Sequence, residues 1–375
     1  MLFEAPKLDD PELEVASRIE ELRQHLKYAV QTPKRWPGLL RRALFARAIM
    51  ASNSIEGFNV TVEDAIAAVE GDEPLDAADA DWRAVRGYRS AMTYVLQLAE
   101  DPHFRYSTDL LRSLHFMMIE YDLSKHPGRW RPGPIQVVDE TRKEIVYRAP
   151  DAEQVPELMD ELVASLNQAD NSMASMVRAA MGHLNFVMIH PFSDGNGRMA
   201  RCLQSLILAR AGALAPEFSS IEEYLGRNTR EYYDVLRDVG AGSWNPRRNA
   251  RPWIRFCLTA HFRQATTILR RTREVRQTWD ALEVEVKKRR LHERTMLALS
   301  DAASGLRVRN ASYRAVADVS IQVATKDLKL LVDQGLLIPL GDRKGRTYQA
   351  SQLIKDIRSR FREPKGVPDP FAPKA

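Results

Sequence analysis

Apolar residues recur every three or four positions along most of the chain, which predicts a mainly α-helical protein. The clearest run covers residues 176–189, and its apolar positions are Met176, Ala180, Leu184, Val187 and Met188. Pro191 disfavours the α conformation at His190, so we expect this helix to end there. Residues 199–208 are again largely apolar. The pattern therefore predicts a helix, a short loop and a second helix.

The rest of the chain follows the same pattern with two exceptions. Further helices are predicted at 11–29, 39–55, 82–98, 107–121, 150–166 and 253–273. The first exception is a β-hairpin, formed by residues 135–138 and 145–147 around the polar run 139–144. The second is the C-terminal part, which predicts helix, helix, strand, turn and strand at 308–317, 320–334, 336–338, 341–345 and 346–350.

The predicted loop has the sequence His-Pro-Phe-Ser-Asp-Gly-Asn-Gly-Arg-Met-Ala-Arg over residues 190–201. The backbone N–H groups of Gly195, Asn196 and Gly197 would lie at the start of the second helix. Unpaired donors and the helix dipole favour a phosphate at such a position. Phe192 is expected to be buried and to anchor the loop.

The side chains of this loop suit a nucleotide triphosphate. Asp194 can hold Mg²⁺ or Mn²⁺ together with phosphate oxygens. Arg198 and Arg201 share a helix face and can both reach a terminal phosphate. His190 has an ordinary pKa near neutrality, which suits a general base. The alternative is a plain helix–loop–helix in which the histidine caps a helix and the arginines are solvated.

Residues 190–201 resemble, without a departure, the signature His-X-Phe-X-(Asp/Glu)-Gly-Asn-Gly-Arg-X-X-Arg of the Fic family. The resemblance implies a helical Fic-type core that transfers AMP from ATP to a Ser, Thr or Tyr hydroxyl of a target protein. It also implies that the hairpin is a flap that holds the target beside His190, and that Tyr232 or Tyr233 contacts adenine. Related Doc-like kinases carry lysine at the position of Gly197, so this glycine favours nucleotidyl transfer.

A second motif, Ser52-X-X-X-Glu56-Gly57, resembles the inhibitory motif of autoinhibited Fic proteins. Ser52 and Glu56 are four residues apart and share a helix face, and Gly57 is suited to end that helix. We expect the Glu56 carboxylate to form a two-pronged ion pair with Arg201 in place of the ATP γ-phosphate. The alternative is a surface acid before a capping glycine.

Residues 320–337 resemble the recognition helix of a winged helix and the residues that follow it. Gln322, Thr325 and Lys326 would face a DNA groove, and the wing residues Arg343, Lys344 and Arg346 would meet phosphates. A role of this module in dimerisation or protein docking is equally open, because fold does not fix function. The basic stretch 270–294 is expected to be a solvated helical face.

These patterns divide the chain into four parts. They are an N-terminal helical segment with the inhibitory helix (1–70), the Fic core (71–275), a basic helix with the winged-helix-like module (276–361) and a disordered tail (362–375). Hydrophobic residues make up 44% of the chain and the net charge is +5. No apolar run is long enough to span a bilayer, and Cys202 and Cys257 lack metal-site spacing.

We therefore expect a cytoplasmic protein adenylyltransferase inhibited by Glu56, without a membrane partner. Its target protein is not indicated, and a homodimer is left open. Two alternatives remain. The same site could remove AMP from a modified protein, with Glu56 orienting water. The protein could also be a DNA-binding regulator whose Fic core senses nucleotide.

Overall fold

The computed structural model describes residues 1–31, 34–139, 143–168, 174–212, 216–341 and 345–372. Most of these residues are helical, so the prediction of a mainly α protein is confirmed. The first half of the chain forms α1 (Asp10–Val30), α2 (Trp36–Ile55), α3 (Val62–Glu70), α4 (Asp79–Glu100), α5 (Thr108–Ile119), α6 (Val155–Asn167) and α7 (Ser175–Ile189). Short 3₁₀ turns lie at Leu123–Lys125 and Ala152–Gln154.

The second half forms α8 (Asn196–Arg210), α9 (Pro216–Ser219), α10 (Glu222–Arg227), α11 (Thr229–Gly240), α12 (Arg251–Lys288), α13 (Thr295–Ala303), α14 (Asn310–Ala317), α15 (Ile321–Asp333) and α16 (Gln352–Ser359). Two small sheets accompany the helices. Their strands are β1 (Gln136–Asp139), β2 (Glu144–Arg148), β3 (Gly242–Ser243), β4 (Leu337–Leu340) and β5 (Thr347–Ala350).

Local sequence explains where several helices begin and end. A capping box starts α1, because Asp9 accepts a hydrogen bond from the Glu12 N–H at 3.0 Å and Glu12 accepts one from the Asp9 N–H at 2.9 Å. Gly57 follows α2 with a φ of +87°, as predicted for a glycine that ends a helix. α7 ends at Ile189, and His190 caps it, also as predicted.

The predicted hairpin is present and belongs to a sheet of three strands. β1 and β2 pair antiparallel, and β3, which was not predicted, pairs parallel to β2. Part of the polar run expected between β1 and β2 lies outside the described residues. The Tyr147 hydroxyl donates to the Met188 carbonyl at 2.8 Å, which fixes the hairpin against the end of α7.

Two apolar cores share α2 and α12. The first core contains α4 to α8 and the first half of α12, and Phe45 and Ile49 of α2 belong to it. The second contains α13 to α16 and the second half of α12, and Leu40 and Leu44 of α2 belong to it. Because α12 runs unbroken from residue 251 to 288, it crosses the boundary that we placed between residues 275 and 276.

We call residues 295–361 the C-terminal module. The helices and strands predicted here are present as α14, α15, β4 and β5, and α13 and α16 complete the module. Gln322, Thr325 and Lys326 all lie on the exposed side of α15. Arg346 is exposed next to β5, whereas Arg343 and Lys344 lie outside the described residues.

The expectations for the basic stretch and for the tail have different outcomes. The stretch 270–294 has a solvent-exposed side, as expected, formed by Arg273, Arg276, Lys287, Lys288 and Arg290. The other side of α12 places Trp279 and Leu282 in the second core. The tail was expected to be disordered, but its residues up to 372 have a defined course. Glu363 pairs with Arg273, and Phe371 packs against the first core.

No helix within the described ranges is both long and apolar enough to cross a bilayer.

Candidate functional site

His190 lies where α7 meets the loop, and its imidazole has a defined tautomer. Its backbone is left-handed, with a φ of +52°, and its N–H donates to the Phe186 carbonyl at 3.1 Å. Nδ1 lies 3.1 Å from the Val187 carbonyl, which can only accept, so Nδ1 carries the proton. Burial lowers the pKa of His190 below its ordinary value. At neutral pH the imidazole is therefore uncharged, and Nε2 can accept a proton.

Arg131 holds the backbone of the loop in place. Its Nε donates to the His190 carbonyl at 2.9 Å, and its backbone N–H donates to the Pro191 carbonyl at 2.9 Å. The same guanidinium donates to the carbonyls of Gly133 and Pro150, at the two ends of the hairpin. This buried arginine therefore couples the position of the hairpin to that of His190.

Phe192 is fully buried, as predicted, and it stacks on His115 of α5. The two rings are 3.6 Å apart and almost parallel. His115 accepts a hydrogen bond from the Gly128 N–H at 2.8 Å and donates to the Asp194 carbonyl at 3.0 Å. Burial lowers the pKa of His115 to about 4, so this ring is a neutral support of the loop.

The Asn196 side chain braces the loop. Its Oδ1 accepts from the Phe192 N–H at 2.9 Å, and its Nδ2 donates to the Phe192 carbonyl at 2.8 Å. The side chain of Asn196 is therefore occupied, and only its backbone N–H is available to a phosphate. This backbone N–H is also the group of Asn196 that the sequence predicts to bind phosphate. Gly195 precedes α8 with a φ of +74°, and the first N–H groups of α8 have no acceptor within the helix.

Arg198 and Arg201 project from the first turns of α8, and both are 1% exposed. The alternative of solvated arginines is therefore wrong. Arg198 Nη1 is 3.4 Å from the Tyr121 hydroxyl, and its guanidinium lies 5.0 Å from the Phe58 ring centre. Neither Tyr121 nor Phe58 was a predicted site residue.

The predicted contact between α2 and Arg201 is present, but with different geometry. Arg201 Nη2 donates to Glu56 Oε1 at 2.7 Å and to the Ser52 carbonyl at 2.9 Å, while Nε donates to Ser52 Oγ at 2.8 Å. The ion pair is thus single-pronged, because only Nη2 contacts the carboxylate. Ser52 accepts the second hydrogen bond of Nη2 and the hydrogen bond of Nε. Nη1 is buried and has no partner among the described residues.

Gly197 lies directly against this ion pair. A methyl group at position 197 would overlap Glu56 Oε1 and would lie 3.2 Å from Arg201 Nη1. The absence of a side chain at this position therefore leaves room for the Glu56 carboxylate beside the start of α8.

Sequence reasoning missed Glu222, a buried carboxyl group that interacts with Ser52. Glu222 is 2% exposed and accepts hydrogen bonds from the Tyr88 and Ser205 hydroxyls, each at 3.0 Å. It also interacts with Ser52 and Arg201, and burial raises its pKa to about 7. The four partners come from α2, α4 and α8, so no local motif marks this carboxyl group.

The two predicted adenine contacts have different environments. Tyr232 is 1% exposed, and its hydroxyl lies 3.0 Å from His183 Nε2. It is a core residue and cannot present its ring to a ligand, so the alternative in which Tyr232 contacts adenine is wrong. Tyr233 is 44% exposed, and its hydroxyl donates to the Ile55 carbonyl at 3.3 Å. Tyr233 therefore lies at the end of α2, next to the inhibitory motif.

Asp194 could provide one ligand to a divalent cation. Its side chain is 42% exposed, Oδ1 accepts from the Gly195 N–H, and Oδ2 is 3.9 Å from Lys125 Nζ. The described residues contain no cluster of three candidate metal ligands. The donor set fits a cation that takes its other ligands from phosphates and water.

A family model described as Fic/DOC matches residues 105–208. A protein adenylyltransferase Fic of Nematostella vectensis is 26% identical over 253 residues, which cover 67% of this chain and 55% of that protein. Protein adenylyltransferase fic-1 of Caenorhabditis briggsae is 35% identical over 105 residues, which cover 28% of this chain and 18% of that protein. The chain thus spans about half the length, or less, of these relatives.

Solved structures show the same fold. A Fic family protein from Desulfovibrio desulfuricans has a TM-score of 0.59 at 21% identity, covering 93% of this chain and 99% of its own. Fic-1 (residues 134–508) from C. elegans has a TM-score of 0.56 at 22% identity, covering 69% and 72%. At this level of identity the likeness concerns the fold alone.

Proposed function

We propose that the protein is an adenylyltransferase that moves AMP from ATP to a Ser, Thr or Tyr hydroxyl of a protein. The match of residues 105–208 to the Fic/DOC family model supports this proposal. The observation that carries this proposal is the position of an uncharged imidazole one short loop before α8. Its Nε2 can accept a proton, and the first N–H groups of α8 can bind phosphate. The curated relatives bear the name protein adenylyltransferase, which supports the same activity.

In the proposed reaction the phosphates of ATP lie at the start of α8. The N–H groups at residues 196–198 and the guanidinium of Arg198 bind phosphate oxygens. Arg201 Nη1, which is buried without a partner among the described residues, supplies a further donor once Glu56 has left. A divalent cation held by Asp194 would neutralise phosphate charge when bound.

His190 acts as the general base. Nε2 takes the proton of the target hydroxyl, whose oxygen bonds to the α-phosphorus of ATP while the bond from that phosphorus to the bridging oxygen breaks. Pyrophosphate leaves with the electron pair of that bond. Arg131 and the Phe192–His115 stack keep the imidazole in position. This positioning of the base is how the protein lowers the barrier of the reaction.

The hairpin is proposed to hold the target segment. β1 is at the edge of the three-stranded sheet, so its outer side can pair with an extended segment. Val138 and Ile145 expose apolar surface on the hairpin, at 44% and 45%. Tyr147 and Arg131 fix this hairpin to the segment that carries His190.

Glu56 is proposed to inhibit the transfer. Its carboxylate occupies Arg201 Nη2, the donor that a terminal phosphate of ATP would need. ATP could then bind only after α2 gives up this contact, or with its phosphates displaced from the productive position. The proximity of Glu56 to the start of α8 supports this interpretation.

Transfer of label from ATP labelled at the α-phosphate tests the proposal. We expect Glu56→Gly to increase labelled protein in a lysate at least tenfold, and Glu56→Gly with His190→Ala to abolish it. Glu100→Gly is the matched control, because Glu100 is exposed at the end of α4, and it should behave as wild type. If Glu56→Gly binds ATP but labels nothing, the transferase proposal is wrong.

A further inference from the structure

A polar cavity of about 280 Å³ lies in the C-terminal module, remote in sequence from residues 190–201. The end of α13, strand β5 and α16 form its walls. Four cationic residues line it, namely Arg307, Lys355, Arg358 and Arg362. None of the described lining residues carries a carboxylate. A cavity with this lining has an uncompensated positive charge.

The partners of the four cations show how many of their positive charges lack a counterion. Arg307 pairs with Asp76 and lies 3.7 Å from Glu63. Arg358 is 4.0 Å from Glu274, but that carboxylate already pairs with Arg270 at 2.6 Å. Within the described ranges, the side chains of Lys355 and Arg362 make no hydrogen bond or ion pair. At least two positive charges therefore lack a counterion.

Arg358 is the most constrained of the four. Its Nη1 donates to the Ala303 carbonyl at 2.9 Å, while its Nε is buried and has no partner among the described residues. Burial lowers the pKa of Arg358, and the neighbouring Arg362, Arg271 and Arg270 act in the same direction. A bound anion would relieve both the repulsion and the unpaired donor.

Capping of α13 does not explain this charge. The turn after the helix satisfies its last carbonyls with backbone N–H groups of its own. Ser304 donates to Ser300, Gly305 to Ala302 and Leu306 to Asp301. Arg358 satisfies the carbonyl of Ala303. The other cations of the cavity are thus not needed by the helix end.

We infer that this cavity binds a small molecule with a phosphate group. Guanidinium groups and an ammonium group around one cavity match the charge and the oxygen geometry of a phosphate dianion. The cavity is larger than one phosphate, and Ala302, Leu306 and Ala350 give it an apolar side. A phosphomonoester with a compact organic part fits this lining, and inorganic phosphate shares the charged half of the interaction.

Calorimetric titration of the full chain tests this inference with inorganic phosphate, ribose 5-phosphate and ribose. The pocket variant is Lys355→Gln with Arg362→Gln, and the control variant is Arg360→Gln with Lys365→Gln, which changes the charge equally outside the cavity. We expect phosphate binding in wild type and control, and about tenfold weaker binding or none in the pocket variant. Tighter binding of ribose 5-phosphate would identify an ester as the ligand, and equal binding would identify phosphate.

The inference fails if the pocket variant binds both phosphates as wild type does, since binding would then occur at another site such as the start of α8. It also fails if both variants lose binding equally, if ribose alone binds, or if nothing binds at millimolar concentration. Unfolding temperatures should be unchanged in both variants, because the substituted side chains of the pocket have no partners to lose. The outcome is independent of AMP transfer.

Discussion

Arg201 Nη2 donates to Glu56 Oε1 over 2.7 Å, and the two residues are 145 positions apart in the chain. Their environments differ. The Arg201 side chain is completely buried, and Ser52 holds two of its nitrogens, whereas the Glu56 side chain is 26% exposed at the end of α2. Glu56 can therefore move into water while Arg201 stays in place, which makes the glutamate the movable member of the pair.

Replacing Glu56 with alanine should make the protein less stable without ATP and more responsive to it. The substitution leaves a buried guanidinium without its anion, which we expect to lower the free energy of unfolding by about 1–3 kcal/mol. ATP then supplies the missing negative charge. Thermal unfolding with and without ATP and Mg²⁺ should show a larger rise in the variant than in wild type.

Glu100→Ala is the control for this comparison, because it removes an exposed glutamate from the end of another helix. An equal rise with ATP in wild type and Glu56→Ala would contradict a competition between Glu56 and the nucleotide.

Local sequence was sufficient to predict the central part of the site. The end of α7 at His190 follows from the proline at position 191, and Phe192 is buried as expected. The contact of Glu56 with Arg201 was expected from the resemblance of residues 52–57 to the inhibitory motif of Fic proteins, not from local sequence alone. The hairpin and most helices follow from alternating or helical apolar patterns. The roles of these residues in a reaction stay predictions.

Sequence could not reveal features that depend on how distant segments meet. Glu222 gains its environment from Tyr88, Ser205 and Ser52, which lie on three other helices. Tyr232 and Tyr233 are adjacent and chemically identical, yet only packing decides that one is core and the other exposed. α12 passes between two cores because its apolar positions continue beyond the point where the local composition becomes basic.

The pH dependence of AMP transfer should report the state of His190. Burial lowers its pKa, and the base is active only when unprotonated, so the acid side of the kcat/KM profile should fall at pH values below 6.5. The profile is best measured with Glu56→Gly, which we expect to be active. His103→Asn, which changes an exposed histidine, should leave the profile unchanged. A decline centred above pH 7 would contradict an uncharged base at neutral pH.

Glu222 should make the protein less stable as the pH rises from about 4.5 to about 7. Its pKa is raised from 4.5 to about 7 in the folded state, so in this range the folded state binds more protons than the unfolded state. Stability is then lost with rising pH, by about 3 kcal/mol across the range. Glu222→Gln removes this titration.

Urea unfolding at pH 5 and pH 8 checks this expectation. The stability of Glu222→Gln relative to wild type should increase from the lower to the higher pH. Glu231→Gln, an exposed change in α11, serves as the control. Parallel behaviour of wild type and Glu222→Gln would show that Glu222 keeps an ordinary pKa.

Arg42 links the C-terminal module to the helix that carries Glu56, and we expect its removal to affect both stability and inhibition. It lies in α2 and pairs with Glu70 of α3 and, at 2.5 Å, with Asp301 of α13. Burial raises the pKa of both carboxyl groups even with the arginine present. Arg42→Met would leave two largely buried carboxylates without a cation, which we expect to cost about 3–5 kcal/mol at neutral pH. The loss should be smaller at pH 5, because protonation of raised carboxyl groups removes their charge. Arg86→Met, on an exposed position of α4, should change the free energy of unfolding little at either pH.

The same substitution of Arg42 should affect AMP transfer. Since α2 also presents Ser52 and Glu56 to Arg201, loosening the contact of α2 with α13 through Arg42→Met should raise AMP transfer. That increase should vanish when Glu56→Gly is already present, because no inhibitory contact then remains to be weakened. Additive effects of the two substitutions would instead place Arg42 outside the inhibitory device.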